Sequence, residues 1–303
     1  GPVARFLDHW RPDAAVFVES EIWPNLLRGL DVRNVPRFLV NARLSARSAA
    51  RWAKFPATAR ALFGGFALIT AQSKKDAAAL RSLGLDRVET PGNLKFATPP
   101  LPDDPAARAV LDAALTGSRF LAASTHDGED ASVIAAHRVL LERHPDLATV
   151  IVPRHPDRSD AIAALAHGLP VARRSRGEMP VRGGLYLADT LGELGLFYRL
   201  CPVAFIGGSL VPAGGHNMIE AAQLGCAAIT GPHTENFAET AATLRTAGGL
   251  IDIANGAELA LTVGGLLADP ARIEAVGTAG KRACQRFADL PARLASVILG
   301  ALA

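Results

Sequence analysis

Long apolar runs are missing from this sequence. The longest are a few residues, far short of the roughly 18 needed to cross a bilayer as a helix, so no membrane-spanning helix is expected. The opening residues do not read as a signal peptide. Cysteine is scarce: Cys201, Cys226 and Cys284 are odd in number, widely spaced and set in apolar surroundings. That excludes a disulfide framework and a cysteine-based zinc site, and it favours a reducing compartment. No HExxH and no carboxylate run with ligand spacing is present, so no metal is expected. No cofactor is expected either, because the Walker pattern and the dinucleotide fingerprint are both absent. Excess charge of one sign is lacking too. The 32 Lys and Arg against 29 Asp and Glu leave +3, too little and too scattered to imply a nucleic-acid partner.

What is present is an alternation of short apolar strands with helices. Strands are expected at 14–18, 37–40 and 66–70, with helices at 22–30, 45–63 and 74–83 between and after them. Pro91, Pro99, Pro100, Pro102 and Pro105 then crowd one stretch. That density does not fit a helix or a central strand, so a linker is expected there. The alternation resumes with strands at 120–123, 149–152, 186–188, 203–206 and 227–230. Continuous apolar strands between helices mean parallel sheets covered on both faces. The length of 303 residues suits two domains: 1–97 and 98–303, the first of them incomplete because it offers only three clear strands.

The segment from Ile206 to Glu220 carries the strongest chemical signal. It leaves an apolar strand, contains Gly207, Gly208, Ser209, Gly214 and Gly215, and reaches a helix expected to open at Asn217. Glycines there let a backbone approach a phosphate with unpaired N–H groups, and a helix start adds positive potential. Glu220, one turn in, can accept both hydroxyls of a ribose. The other reading is a tight loop capped by Asn217 with no ligand. Ser124, Thr125 and His126 end another strand, as contacts to donor phosphate or sugar or as a helix cap. Pro153 and Arg154 end a third, with Arg154 either meeting an anion or base or standing in a surface turn. Asp189–Leu194 ends a fourth. All lie at carboxyl ends of parallel strands, where open α/β sheets bind ligands. In the first half, Glu19, Ser20 and Glu21 end a strand. Glu19 and Glu21 are the candidate catalytic carboxylates, although Glu21 also suits a helix cap. Arg43 and Arg47, four apart, can clamp an anion.

These segments are also familiar. Val18–Leu26 (VESEIWPNL) resembles the E-x-E-[LI]-W-P-N-L signature of the transferases of Kdo, the eight-carbon acid sugar of lipopolysaccharide. NARLSARSAA at 41–50, GNLKF at 92–96, STHDGE at 124–129, PRHP at 153–156, DTLGEL at 189–194, the glycine segment with Glu220, and GPHT at 231–234 look like the same family in the same order. The resemblance covers essentially the whole chain. It implies a GT-B glycosyltransferase, two Rossmann-like domains facing a cleft, the N-terminal one incomplete and acceptor-binding, the C-terminal one binding CMP-Kdo. It implies inverting, metal-independent transfer of Kdo to a lipid A precursor (lipid IVA), with peripheral contact at the cytoplasmic face of the bacterial inner membrane. The glycine loops would take the phosphate, Glu220 the ribose, Pro153 and Arg154 the cytosine side, and Glu19 would line the acceptor side.

The chain also departs from the family's pattern. The family's S-[VI]-G-E motif, whose glutamate is its expected general base, is absent, and so is the membrane-associating segment before it. Met218-Ile219 stands where Pro-Leu is common, and Glu235 where an aromatic is common. A transferase for another nucleotide sugar and a non-catalytic nucleotide-binding remnant stay open as alternatives.

Overall fold

A computed structural model describes residues 1–302, with Ala46 described by its backbone alone. The chain forms two compact units. One comprises Gly1–Thr98 together with Phe287–Ala303, the other Pro99–Arg286. The expected second domain of 98–303 differs from this division at its end. The helix Leu290–Gly300 buries Leu290 and Leu294 against Val40 and Leu94 of the first unit. Phe287 stacks on Phe96, ring centres 5.1 Å apart. The sequence alone does not say which sheet this last helix covers.

The first unit holds β1 (Ala15–Val18), β2 (Arg37–Ala42), β3 (Phe66–Ala71) and β4 (Val88–Glu89), paired in that order and all parallel. Each crossover carries helix, as parallel pairing demands. Its core gathers Leu27, Leu39, Phe63, Ile69 and Leu80, each worth about 1.5–3 kcal/mol when fully buried. The helix expected over 45–63 is two helices, Ala46–Ala53 and Pro56–Phe63. Pro56 has no N–H to give and its ring clashes with the preceding turn. It therefore opens a new helix instead of continuing the old one.

The second unit holds β5 (Arg119–Thr125), β6 (Ala148–Pro153), β7 (Val171–Arg173), β8 (Leu185–Leu187), β9 (Val203–Ile206), β10 (Ala227–Thr230) and β11 (Leu250–Asp252). Their order across the sheet is β11-β10-β9-β5-β6-β8-β7, again all parallel. Phe120, Ile151, Phe205 and Ile229 point into a core closed by Val133 and Leu140 of one helix and Leu259 and Val263 of another. From β5 the chain builds β6, β7 and β8 on one side, then returns to β5's other edge for β9. The order therefore reverses between β5 and β9. Connections on either side of such a switch point part in opposite directions and leave a crevice at the strands' carboxyl ends. The linker expected over 91–105 contains a short 3-10 turn at Leu94–Ala97 and ends where the helix Pro105–Ala114 begins.

Candidate functional site

The loops after β5 and β9 face each other across the switch point of the second unit. In register, Ala123 pairs with Ile206, so Ser124 and Gly207 come next. A Cβ on Gly207 would stand 2.5 Å from the Ser124 carbonyl oxygen, and only glycine permits that approach. Ser124 itself takes a positive φ of 57°, and Gly208 one of 67°. The two loops are thereby pinned together before any ligand is considered.

Glu129 is the centre of this arrangement. It is 0% exposed. Its carboxylate accepts the backbone N–H groups of His126 (2.8 Å), Gly208 (2.7 Å), Ser209 (3.0 Å) and Leu210 (2.9 Å). Four such bonds compensate the desolvation of a buried carboxylate. The Gly207 N–H donates to Ala123 instead, at 2.8 Å. The Ser209 hydroxyl donates to the Ile206 carbonyl and accepts from the Gly231 N–H. The expectation that Gly207, Gly208 and Ser209 offer unpaired N–H groups to a phosphate is therefore corrected. A carboxylate of this chain already occupies that role. The helix after the loop is also later and shorter than expected, spanning only Ile219–Gln223, so no helix-start potential is drawn from it.

What remains exposed to a ligand is side-chain chemistry. The Nε2 atoms of His126 and His216 are 2.7 Å apart, and their rings lie nearly parallel at 17°. His155 sets its ring edge-on to His126, centre to centre 6.3 Å. Burial first, then the neighbouring His126, Arg154 and His155, pull the His216 imidazole down to about 4. Arg154 is exposed, and Pro153 is buried at the end of β6. Gly214 and Gly215 both adopt positive φ and lead into His216. The Asn217 side-chain amide donates to Glu220 at 3.0 Å, and its carbonyl accepts the Ile219 N–H. Burial raises the Glu220 carboxyl, while the Asn217 bond opposes the rise.

Of the expected residues, the structure thus brings Ser124, His126, Gly207 and Gly208 together with His216, and Arg154 with the imidazoles. Glu129, His155 and His216 were not singled out from sequence as side chains at this site. The Asp189–Leu194 segment is held by the turn after β7: Arg174 grips Glu193 through the Nε and Nη2 edge of its guanidinium, and Ser175 donates to Asp189 from its N–H and hydroxyl.

In the first unit, Glu19 lies past the end of β1 with φ 61°. It pairs with the Lys95 ammonium at 2.9 Å. Glu21 accepts the Trp23 indole N–H at 3.0 Å. A cavity of about 310 Å³ is lined by Glu19, Ser20, Arg43, Ser45, Arg51 and Trp52, among others. Glu21 is not on its wall. Arg47, the expected partner of Arg43, is not either, and Arg51 stands there instead.

Residues 1–98 match the family described as 3-deoxy-D-manno-octulosonic-acid transferase (kdotransferase). The chain is 35% identical over 306 residues to the 3-deoxy-D-manno-octulosonic acid transferase of Haemophilus influenzae, covering 95% of this chain and 71% of that one. It is 37% identical over 292 residues to the Bordetella pertussis protein of the same name, covering 93% and 67%. The chain thus spans about two thirds of the length of these curated relatives. The crystal structure of the C-terminal CMP-Kdo binding domain of WaaA from Acinetobacter baumannii superposes with TM-score 0.56 at 29% identity, covering 59% of this chain and 97% of that one. A UDP-N-acetylglucosamine 2-epimerase from Listeria monocytogenes, itself described as putative, shares the fold at 17% identity. Its TM-score is 0.61, over 97% of this chain and 78% of that one.

Proposed function

The chain belongs to the 3-deoxy-D-manno-octulosonic acid (Kdo) transferase family, glycosyltransferases of GT-B fold, and from that premise we propose that its second unit binds CMP-Kdo and that the protein moves Kdo to a lipid A precursor, lipid IVA. One observation carries the reading: at the switch point of the second unit, Arg154 stands with three imidazoles, and the chain runs from one of them, His216, directly into the hydrogen-bonded Asn217 amide and Glu220 carboxylate. That combination suits a nucleotide phosphate next to a ribose. The Arg154 cation meets the anion, imidazole nitrogens can hydrogen-bond to it, and a carboxylate accepts the vicinal hydroxyls. The glycines at 207, 208, 214 and 215 serve by shaping the two loops, with Glu129 fixing the first.

Transfer would break the bond from the Kdo carbon to the phosphate oxygen, with charge developing on the phosphate. Arg154 and the imidazoles would meet that charge, and we propose that no metal is needed and that the anomeric centre inverts. The Glu19, Arg43 and Arg51 cavity of the first unit would receive the polar head of the acceptor, at the cytoplasmic face of the inner membrane. Lys95 holds Glu19 as an ion pair, which fixes the carboxylate as a positioning group for the acceptor. Competitive titration of CMP against UDP tests the donor, with CMP expected to bind at least tenfold more tightly. Mass gain on lipid IVA incubated with CMP-Kdo in the presence of a chelator tests the reaction. Preference for UDP would overturn the donor, and transfer abolished by the chelator would overturn metal independence.

A further inference from the structure

The imidazole pair has a protonation problem that the nucleotide reading does not by itself resolve. Two Nε2 atoms at 2.7 Å require one hydrogen between them. If both carried one, two donors would collide. If neither did, two lone pairs would repel. One ring therefore donates and the other accepts. The accepting ring keeps its own hydrogen on Nδ1. The donating ring is left with a bare Nδ1, which is the one basic nitrogen in the neutral pair.

The surroundings keep that nitrogen bare. From the end of β6, Arg154 and His155 face the pair with positive or potentially positive groups. From the loop after β5, Glu129 has its carboxylate consumed by four N–H bonds. Asp127 is fully exposed and lies 3.4 Å from Arg158. On the His216 segment, Glu220 is held by Asn217. From the loop after β10, which packs on Gly214 and Gly215, Glu235 lies 3.5 Å from His233. Among the described residues, these carboxylates therefore each have another partner, and a metal is no alternative. Among the described residues no three His, Cys, Asp or Glu side chains form a metal-holding group, and both Nε2 atoms already face each other.

Resting on the nucleotide reading above, we propose that the His126–His216 pair is a proton-linked anion site, neutral in the free chain and charged by one proton at a ring Nδ1 when a nucleotide phosphate binds. The added proton leaves the central N–H···N bond intact and gives the pair two outward Nδ1–H donors. The phosphate supplies the negative charge that the protein withholds. The free pair resists charging because its neighbours are cationic, and the bound phosphate reverses the sign of the local field. Since His216 sits at about 4 without ligand, holding the proton near pH 6 requires the phosphate to shift it by about two units, a hundredfold coupling.

The test is nitrogen NMR of the full chain labelled with ¹⁵N-histidine at about pH 5, midway between the free and bound values, before and after addition of CMP. His216→Asn and His126→Asn assign the two rings, and each variant is checked by its melting curve, so that loss of one fold leaves the other assignment. The free chain should show one bare Nδ1 in the pair, which becomes a protonated Nδ1 at saturation with CMP. CMP binding that shifts other signals but leaves that Nδ1 bare would overturn the proposal and leave the nucleotide reading standing. So would a pair already charged without ligand. Absence of any CMP-dependent shift up to millimolar concentrations would overturn the nucleotide reading and this inference with it.

Discussion

Glu129 and Glu220 are two carboxylates doing opposite jobs within one site. Glu129 is satisfied wholly by the protein, through four backbone N–H groups. Glu129→Gln puts an NH₂ group against those donors and removes the charge they answer. Breaking one side of a buried, hydrogen-bonded charge costs about 3 kcal/mol or more, so the variant is expected to melt roughly 6–12 °C lower. A melting point within 2 °C, an allowance of roughly 1 kcal/mol, would show that the loop holds itself. Glu220 is the reverse case. Burial raises its carboxyl above the usual value, so its charged form is a burden on the fold. A raised folded pKa contributes stability below the unfolded pKa that is lost as pH rises through the folded one. Glu220→Gln removes that burden at neutral pH. It also removes the charged acceptor of the ribose hydroxyls, bonds worth about 1.5–3 kcal/mol. Calorimetry should find CMP affinity down by about tenfold or more, with the melting temperature at pH 7 unchanged or higher. Unchanged affinity in a folded variant would end the ribose assignment.

The parallel alternation of the second unit was legible because its central strands are continuous apolar runs with β-branched or aromatic residues, such as Val203–Ile206. Shorter pieces were not. Val171–Arg173 is three residues running into an arginine-rich turn, and Val88–Glu89 is two. Such edge strands bury too little to leave a periodic pattern. The loops carrying the site were legible from glycine and strand ends. What fills them was not, because Glu129 meets Gly208 across 79 residues and His126 meets His216 across 90. Only the β5–β9 register creates those meetings. Gly207→Ala tests that register directly. Its Cβ would meet backbone at 2.5 Å on Ser124 and 2.8 Å on Thr125, and backbone cannot swing away as a side chain can. Denaturant unfolding is expected to show a loss of about 1–3 kcal/mol, with CMP binding weakened as the two loops part. A neutral effect would mean that the strand ends separate freely.

The whole chain divides by contact and not by sequence order, since the segment from Phe287 returns to the first unit. Its anchor is small but dry: Leu290 is fully buried and Leu294 nearly so, against Val40. Leu290→Ala should therefore cost about 2–5 kcal/mol, and the cost should fall on the first unit. The second unit has its own sheet, its own apolar core and every residue of the imidazole and Asn217–Glu220 cluster between Pro99 and Arg286. A unit of that size buries roughly 70% of the surface its unfolded chain exposes, enough to fold unaided. The fragment 99–286 is accordingly expected to unfold in one cooperative transition and to bind CMP within about threefold of the full chain, since no binding group is lost. In the full chain, Leu290→Ala should lower one melting transition and leave the CMP-protected one in place. Calorimetry with and without CMP reads both. If the fragment folds but fails to bind CMP, a group outside 99–286 contributes to the nucleotide site. If Leu290→Ala lowers both transitions equally, the two units melt as one, and the return of the tail stabilises the molecule as a whole.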